Sequence, residues 1–241
     1  MRYVVIAMVL GLSACSFDWD DKDGPGATAA GSGTTRTYAV AGFDGIDLRG
    51  SDDIDVRVGG GFSIRAEGPS DQLDQLRIER RGTTLDVGRR NHMGLKWRSG
   101  AKVKVFVTLP RLVAANVAGS GDLTVDRVQG GAFTGAIAGS GRLVVAALAV
   151  DKATVSIAGS GDAQLTGTVR SIDVNVAGSG SLAAERLTAA RASVSIAGSG
   201  DVRARVDGPA DVSMMGSGSV DLGRGATCKV AKMGSGTVRC S

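Results

Sequence analysis

Ile157-Ala158-Gly159-Ser160-Gly161-Asp162-Ala163-Gln164-Leu165 is one copy of a pattern that returns throughout the second half of the chain. Its Gly-Ser-Gly core begins at Gly119, Gly139, Gly159, Gly178, Gly198, Gly216 and Gly234, in steps of 20, 20, 19, 20, 18 and 18 residues. The flanking columns agree. Ala118, Ala138, Ala158, Ala177 and Ala197 stand immediately before the tripeptide, followed by Met215 and Met233. Val117, Ile137, Ile157, Val176, Ile196 and Met214 stand one place earlier, a column broken only by Lys232. Beyond the tripeptide lie Leu123, Leu143, Ala163, Leu182, Val202, Val220 and Val238. Two residues further on are Val125, Val145, Leu165, Ala184, Ala204, Leu222 and Cys240. A fixed period near 20 marks a repeat architecture.

Each unit reads as a strand, a tight corner and a second strand, with alternate apolar residues pointing into one core. Glycine permits positive φ at the corner, and the serine is placed to bond the local backbone. Burying one Ile or Leu contributes roughly 1.5–3 kcal/mol. A unit this short cannot offset its own ordering entropy, so units must stack. Two architectures fit: a β-solenoid of parallel coils, or an antiparallel meander with each tripeptide as a hairpin loop. Stacking explains why every corner has the same sequence, and the expected fold is an all-β solenoid spanning 111–241.

The preceding part, 38–110, has a different texture. Apolar and polar residues alternate through Ile46, Leu48, Ile54, Val56 and Val58, and again over Phe62–Ala66, Leu76–Ile78, Leu85–Val87 and Val103–Leu109. These are short strands divided by turn residues, with one helical turn allowed at Ser70–Leu76. With aromatics at 4%, the core must be built from Val, Ile, Leu and Ala. The 37 glycines against 4 prolines indicate frequent tight turns. The net charge of +4 is small and dispersed, which argues against a nucleic-acid partner.

At the N-terminus, Arg2 precedes a short apolar run from Tyr3 to Leu12, and Leu12-Ser13-Ala14-Cys15 places small residues before a cysteine. The run is too short to span a bilayer and reads as a signal peptide over 1–14. The site resembles a bacterial lipobox, which implies cleavage before Cys15, diacylation of Cys15 and membrane attachment through that lipid. Ser16, rather than aspartate, points to the outer membrane. From 15 to 37 the chain is polar and glycine-rich, and is expected to be a flexible tether. Its Asp18, Asp20, Asp21 and Asp23 do not form a calcium loop, because Lys22 fills the fifth position and no glutamate stands at the twelfth. Cys228 and Cys240 remain as an even pair in an oxidising compartment and are expected to form a disulfide.

The repeats offer no recognisable chemistry. A hydrolase elbow is Gly-x-Ser-x-Gly, and the single histidine, His92, cannot serve seven serines. Only Asp122, Asp162 and Asp201 follow a corner as carboxylates, so no oxygen donor recurs for a metal. Asp126, Glu185 and Asp207 occur singly, without the paired carboxylates of a glycosidase. The expectation is a non-enzyme without cofactor or metal. One segment stands apart: Arg89, Arg90, His92, Lys96, Trp97, Arg98, Lys102 and Lys104 make a basic loop with an indole and no acid. Arg89, Arg90, Lys96, Trp97, Arg98 and Lys102 are the candidate contacts for anionic lipid or acidic glycan. The bland reading is a solvated hairpin tip protecting a strand edge.

From about Tyr38 to Cys240 the chain resembles the auto-transporter adhesin head, or GIN-domain, family of bacterial envelope proteins. The resemblance rests on Phe43-x-x-Ile46-x-Leu48, Thr108-Leu109-Pro110-x-Leu112 and the Ala-Gly-Ser-Gly-Asp/Ser coils. It implies a right-handed single-stranded β-helix behind a smaller β-rich portion, together one domain. The function expected is a cell-envelope lipoprotein displaying an elongated solenoid for adhesion or glycan recognition. The alternative is a periplasmic scaffold that binds another envelope protein.

Overall fold

The structure, a computed structural model, describes residues 26–90 and 101–240. Its first strands are β1 (Ala29–Ala30), β2 (Thr35–Tyr38), β3 (Gly45–Gly50), β4 (Asp53–Val58) and β5 (Ser63–Glu67). A one-turn helix, α1 (Ser70–Leu73), precedes β6 (Leu76–Arg81), β7 (Thr84–Arg89) and β8 (Lys104–Leu109). The repeats supply β9 (Ala114–Gly119), β10 (Asp122–Val125), β11 (Val128–Gly139), β12 (Arg142–Gly159), β13 (Asp162–Gly178), β14 (Ser181–Ala189) and β15 (Ala192–Gly198). The chain ends with β16 (Asp201–Val206), β17 (Gly208–Gly216), β18 (Ser219–Asp221), β19 (Ala226–Met233) and β20 (Thr237–Arg239).

The repeats stack in parallel. Ile137 pairs with Ile157, Ile157 with Val176 and Val176 with Ile196, each one repeat away. A hairpin meander would pair residues flanking one tripeptide, and it is excluded. The fold is a β-solenoid whose rungs bend at the Gly-Ser-Gly corners.

Segments before the corner form one face, ordered β6, β7, β3, β9, β11, β12, β13, β15, β17, β19. Segments after it form a second, ordered β1, β2, β5, β8, β4, β10, β12, β13, β14, β16, β18, β20. The long strands β12 and β13 contribute to both. Between the faces lies one core, in which Ile46, Leu85, Leu123, Val155, Leu187 and Val202 are all fully buried.

The same close approach explains both corner glycines. Gly159 has φ +120, and a Cβ there would lie 2.5 Å from the Gly139 carbonyl oxygen of the rung below. A Cβ on Gly161 would meet the Gly141 oxygen at 2.5 Å and Ile137 Cγ2 at 2.6 Å. The first glycine thus serves both conformation and contact, the second contact alone. The rungs are joined there by backbone bonds, with Ser160 N–H donating to Gly139 O at 2.9 Å. The expected bond from the serine hydroxyl to its own backbone is absent among the described residues. The corner serines are exposed, and only Ser217 and Ser235 bond each other, at 3.1 Å.

Two expected boundaries move. Gly50-Ser51-Asp52 is itself a corner, since Gly50 pairs with Gly119 in parallel and Ile54 with Leu123. The solenoid therefore starts at β3 and β4, inside the portion 38–110, and no break falls at residue 110. The tether also ends earlier than residue 37. Ala27 N–H donates to Ile78 O at 2.7 Å, β1 pairs with β2, and β2 pairs with β5. These pairings use backbone bonds rather than apolar alternation, so their sequence looks like a linker. The signal peptide, Cys15 and residues 16–25 lie outside the described residues. Among the described residues no helix is long and apolar enough to cross a membrane.

The last rung is closed covalently. Cys228 in β19 stacks on Ala210, and Cys240 follows Arg239, the partner of Asp221, so it continues the column of Leu222. Their sulfurs are bonded at 1.99 Å, which ties the two faces together across the end of the core.

Candidate functional site

The described residues of the basic segment, Arg89, Arg90 and Lys102, stand at the first-rung end of the solenoid, at the end of β7 and just before β8, and the structure divides them. Arg89 is turned inward. Its Nε and Nη2 donate to the two carboxylate oxygens of Asp52 at 2.8 and 2.6 Å, and its Nη1 donates to Gln72 Oε1. Asp52 is 1% exposed and also accepts the Val103 N–H at 2.9 Å. Arg89, expected among the ligand contacts, is therefore a structural residue that anchors the loop base. Lys102 is exposed but pairs with Asp53 at 2.9 Å, and that carboxylate holds its ammonium above the ordinary lysine pKa. Arg90 is exposed, and its backbone N–H donates to Gln75 O at 2.9 Å. Lys96, Trp97 and Arg98, with His92, lie outside the described residues.

Asp52 occupies the place that later corners give to their second glycine. Its side chain is met there by the Arg89 guanidinium and the Val103 N–H. Nearby, burial pushes the carboxyl of Asp86 above its ordinary pKa, although Arg49 (2.7 Å) and Arg81 (3.9 Å) pull it back.

The aspartates that follow the corners are used between rungs. The Ser181 hydroxyl donates to Asp162, and the Ser219 hydroxyl to Asp201. Among the described residues no group of three His, Cys, Asp or Glu side chains gathers as a metal site.

A feature that emerges only on stacking lies on the outside of the pre-corner face. There a groove of about 870 Å³ runs across the rungs from β3 to β15. One column of its floor is methyl groups: Ala118, Ala138, Ala158, Ala177 and Ala197, all exposed. The parallel column, two residues earlier on each strand, is Asn116, Ala136, Ser156, Asn175 and Ser195. Asn116 donates to Asp47 Oδ1 at 2.6 Å. Among the described residues the side chains of Ser156, Asn175 and Ser195 make no hydrogen bond within the protein. Ionisable residues stand only at the first-rung end, where Asp47, Arg49 and Arg81 border the groove. The alanine column is legible in the sequence as the residue before each corner, but its outward direction and the groove are not.

Comparisons with known proteins agree with this architecture. None of the curated proteins matches the chain. A crystal structure named a "putative adhesin" from Bacteroides fragilis superposes with a TM-score of 0.78 at 24% identity, covering 86% of this chain and 96% of that one. A "putative lipid binding protein" from Parabacteroides distasonis gives 0.68 at 23%, covering 88% and 98%. A "putative adhesin" from Parabacteroides merdae gives 0.63 at 18%, covering 86% and 95%. At such identities they establish the shared fold. The sequence model described as "Putative auto-transporter adhesin, head GIN domain" matches residues 42–224, from just before the first rung to just before the last. That span is well over half of the molecule, and the chain belongs to the auto-transporter adhesin head GIN-domain family.

Proposed function

We propose that this protein is a non-enzymatic cell-envelope lipoprotein, held at the outer membrane by lipid on Cys15, that displays its solenoid for adhesion through glycan or surface contact. The observation that carries this reading is the polarity of the stack. Gly26 and Ala27 join the body at β6, the outermost strand of one face, and β1 is the outermost strand of the other. Every rung recedes from that end, and nine strand spacings separate β6 from β19, about 40 Å. A lipid upstream of Gly26 would leave the repeat faces and the disulfide-closed rung projecting outward. The basic segment leaves and rejoins the body at the anchored end, where Arg90, Lys96, Trp97 and Arg98 would meet anionic headgroups.

Repetition supports a binding role over catalysis. The same side chains recur at the same place on successive rungs, whereas an active site needs one distinct constellation. Adhesion is also what the family's description and two of the structural relatives suggest.

A second reading, a periplasmic scaffold for another envelope protein, draws on the last two rungs. Met215, Val230 and Met233 are 61%, 49% and 69% exposed there. Two measurements test the proposal. Metabolic labelling with a palmitate analogue should mark the wild-type protein and not Cys15→Ser; equal labelling would remove the lipid anchor. A glycan array probed with the purified protein should show reproducible binding to a carbohydrate class. No binding on the array, with stable capture of one envelope protein, would support the scaffold instead.

A further inference from the structure

We propose that the groove across the pre-corner face is the binding site for a linear, uncharged, β-1,4-linked glycan lying along the solenoid axis, one sugar to each rung. The inference rests on the recognition role above and names its site and ligand class.

Charge selects a neutral partner. Over the five rungs from Asn116 to Ala197 no ionisable side chain lines the floor. The charges at the first-rung end are committed to each other and to their neighbours: Arg49 pairs with Asp86 at 2.7 Å, and Asp47 accepts from Asn116. An anionic or cationic polymer would find no counter-charge along the track.

The floor chemistry selects a hydroxylated ring. A column of methyl groups lies beside a column holding the unbonded polar groups of Ser156, Asn175 and Ser195. An acyl chain would cover those groups without satisfying them, at a cost. A pyranose ribbon presents C–H faces to the methyls and hydroxyls to the amide and serines. Inner strands have their backbone bonds already spent in the ladder, so an extra peptide strand has nothing to pair with. Two concave faces cannot close on each other, which disfavours a second copy.

The spacing selects an extended chain. Rungs repeat at about 4.8 Å, close to the length of one extended β-1,4-linked sugar. From β3 to β15 there are five such steps, about 24 Å. Affinity should therefore rise with chain length and level off near five or six sugars.

The test is calorimetric titration with cello-oligosaccharides and N-acetylchito-oligosaccharides of two to eight sugars, against malto-oligosaccharides and palmitate. One β-linked series should bind with affinity climbing to about five or six sugars and then constant, while the coiled α-linked series binds at least tenfold more weakly. Ala158→Trp places an indole on the exposed floor and should weaken binding at least tenfold. Ser199→Trp, on an exposed corner outside the groove, should not. Equal binding by Ala158→Trp, affinity independent of length, or preference for palmitate would overturn the assignment. If the array detects a carbohydrate that Ala158→Trp still binds, recognition stands and the groove is wrong. If the array detects none, both readings fall together.

Discussion

Arg89 grips Asp52 at two points, Nε to Oδ2 at 2.8 Å and Nη2 to Oδ1 at 2.6 Å, from 37 residues away in sequence. The pair sits under the first corner, with one partner 1% exposed and the other partly open to water. Removing the cation alone strands a buried carboxylate. Arg89→Ala should therefore cost about 3 kcal/mol. Asp52→Gly added to that variant restores the glycine that later corners carry and should recover part of the loss. Urea unfolding of the single and double variants checks this; equal stability of both would mean that the carboxylate is not the source of the penalty.

The two kinds of corner residue should respond very differently. Gly161→Ala drives a methyl into the Gly141 carbonyl and Ile137, and should cost about 3 kcal/mol or more. Ser160→Ala removes an exposed hydroxyl with no protein partner and should fall within about 0.5 kcal/mol of wild type. Melting temperatures of the two variants decide it, and equal losses would contradict the stacking geometry.

The disulfide caps the final rung, and breaking it should act locally. Cys228→Ser/Cys240→Ser should lose roughly 2–4 kcal/mol. Amide exchange should accelerate first in β17–β20, while β9–β13 stay protected. Uniform loss of protection along the chain, or two titratable thiols in the native protein, would remove the cap.

Asp86 gives a pH signature with a defined sign. Its folded pKa is raised by burial, so the folded state binds its proton more tightly than the unfolded state. Its contribution to stability is thus fully present below the ordinary carboxylate pKa and is lost as pH rises through the raised value. Asp86→Asn has no such loss. The stability of wild type relative to Asp86→Asn should fall between acidic and neutral pH; a constant difference would show that the carboxyl does not titrate in that window.

Much of this was readable in advance because a stacked repeat writes its core as columns. Ile137, Ile157, Val176 and Ile196 announce both the period and the inward face, and Cys228 with Cys240 announces the closed end. What escaped was whatever depends on contacts between dissimilar segments. The first corner hides because Asp52 replaces glycine, and because Gly119 stands 69 residues after Gly50 rather than about 20. Arg89 reads as part of an exposed basic run because its partner, Asp52, is distant in sequence. Ala29–Ala30 and Thr35–Thr37 read as linker because their side chains are exposed or half-buried and backbone bonds to neighbouring strands fix them. The groove requires knowing that the alanine column faces out.

In the proposed arrangement the repeats are displayed to the exterior from a lipid-anchored end. The most direct measurement is labelling of intact cells that carry Ser199→Cys with a membrane-impermeant maleimide, quantified against lysed cells. Residue 199 lies on an exposed corner of a distal rung, remote from the disulfide. Labelling on intact cells should be as complete as after lysis. Labelling that appears only once the outer membrane is opened would place the solenoid in the periplasm and contradict adhesion.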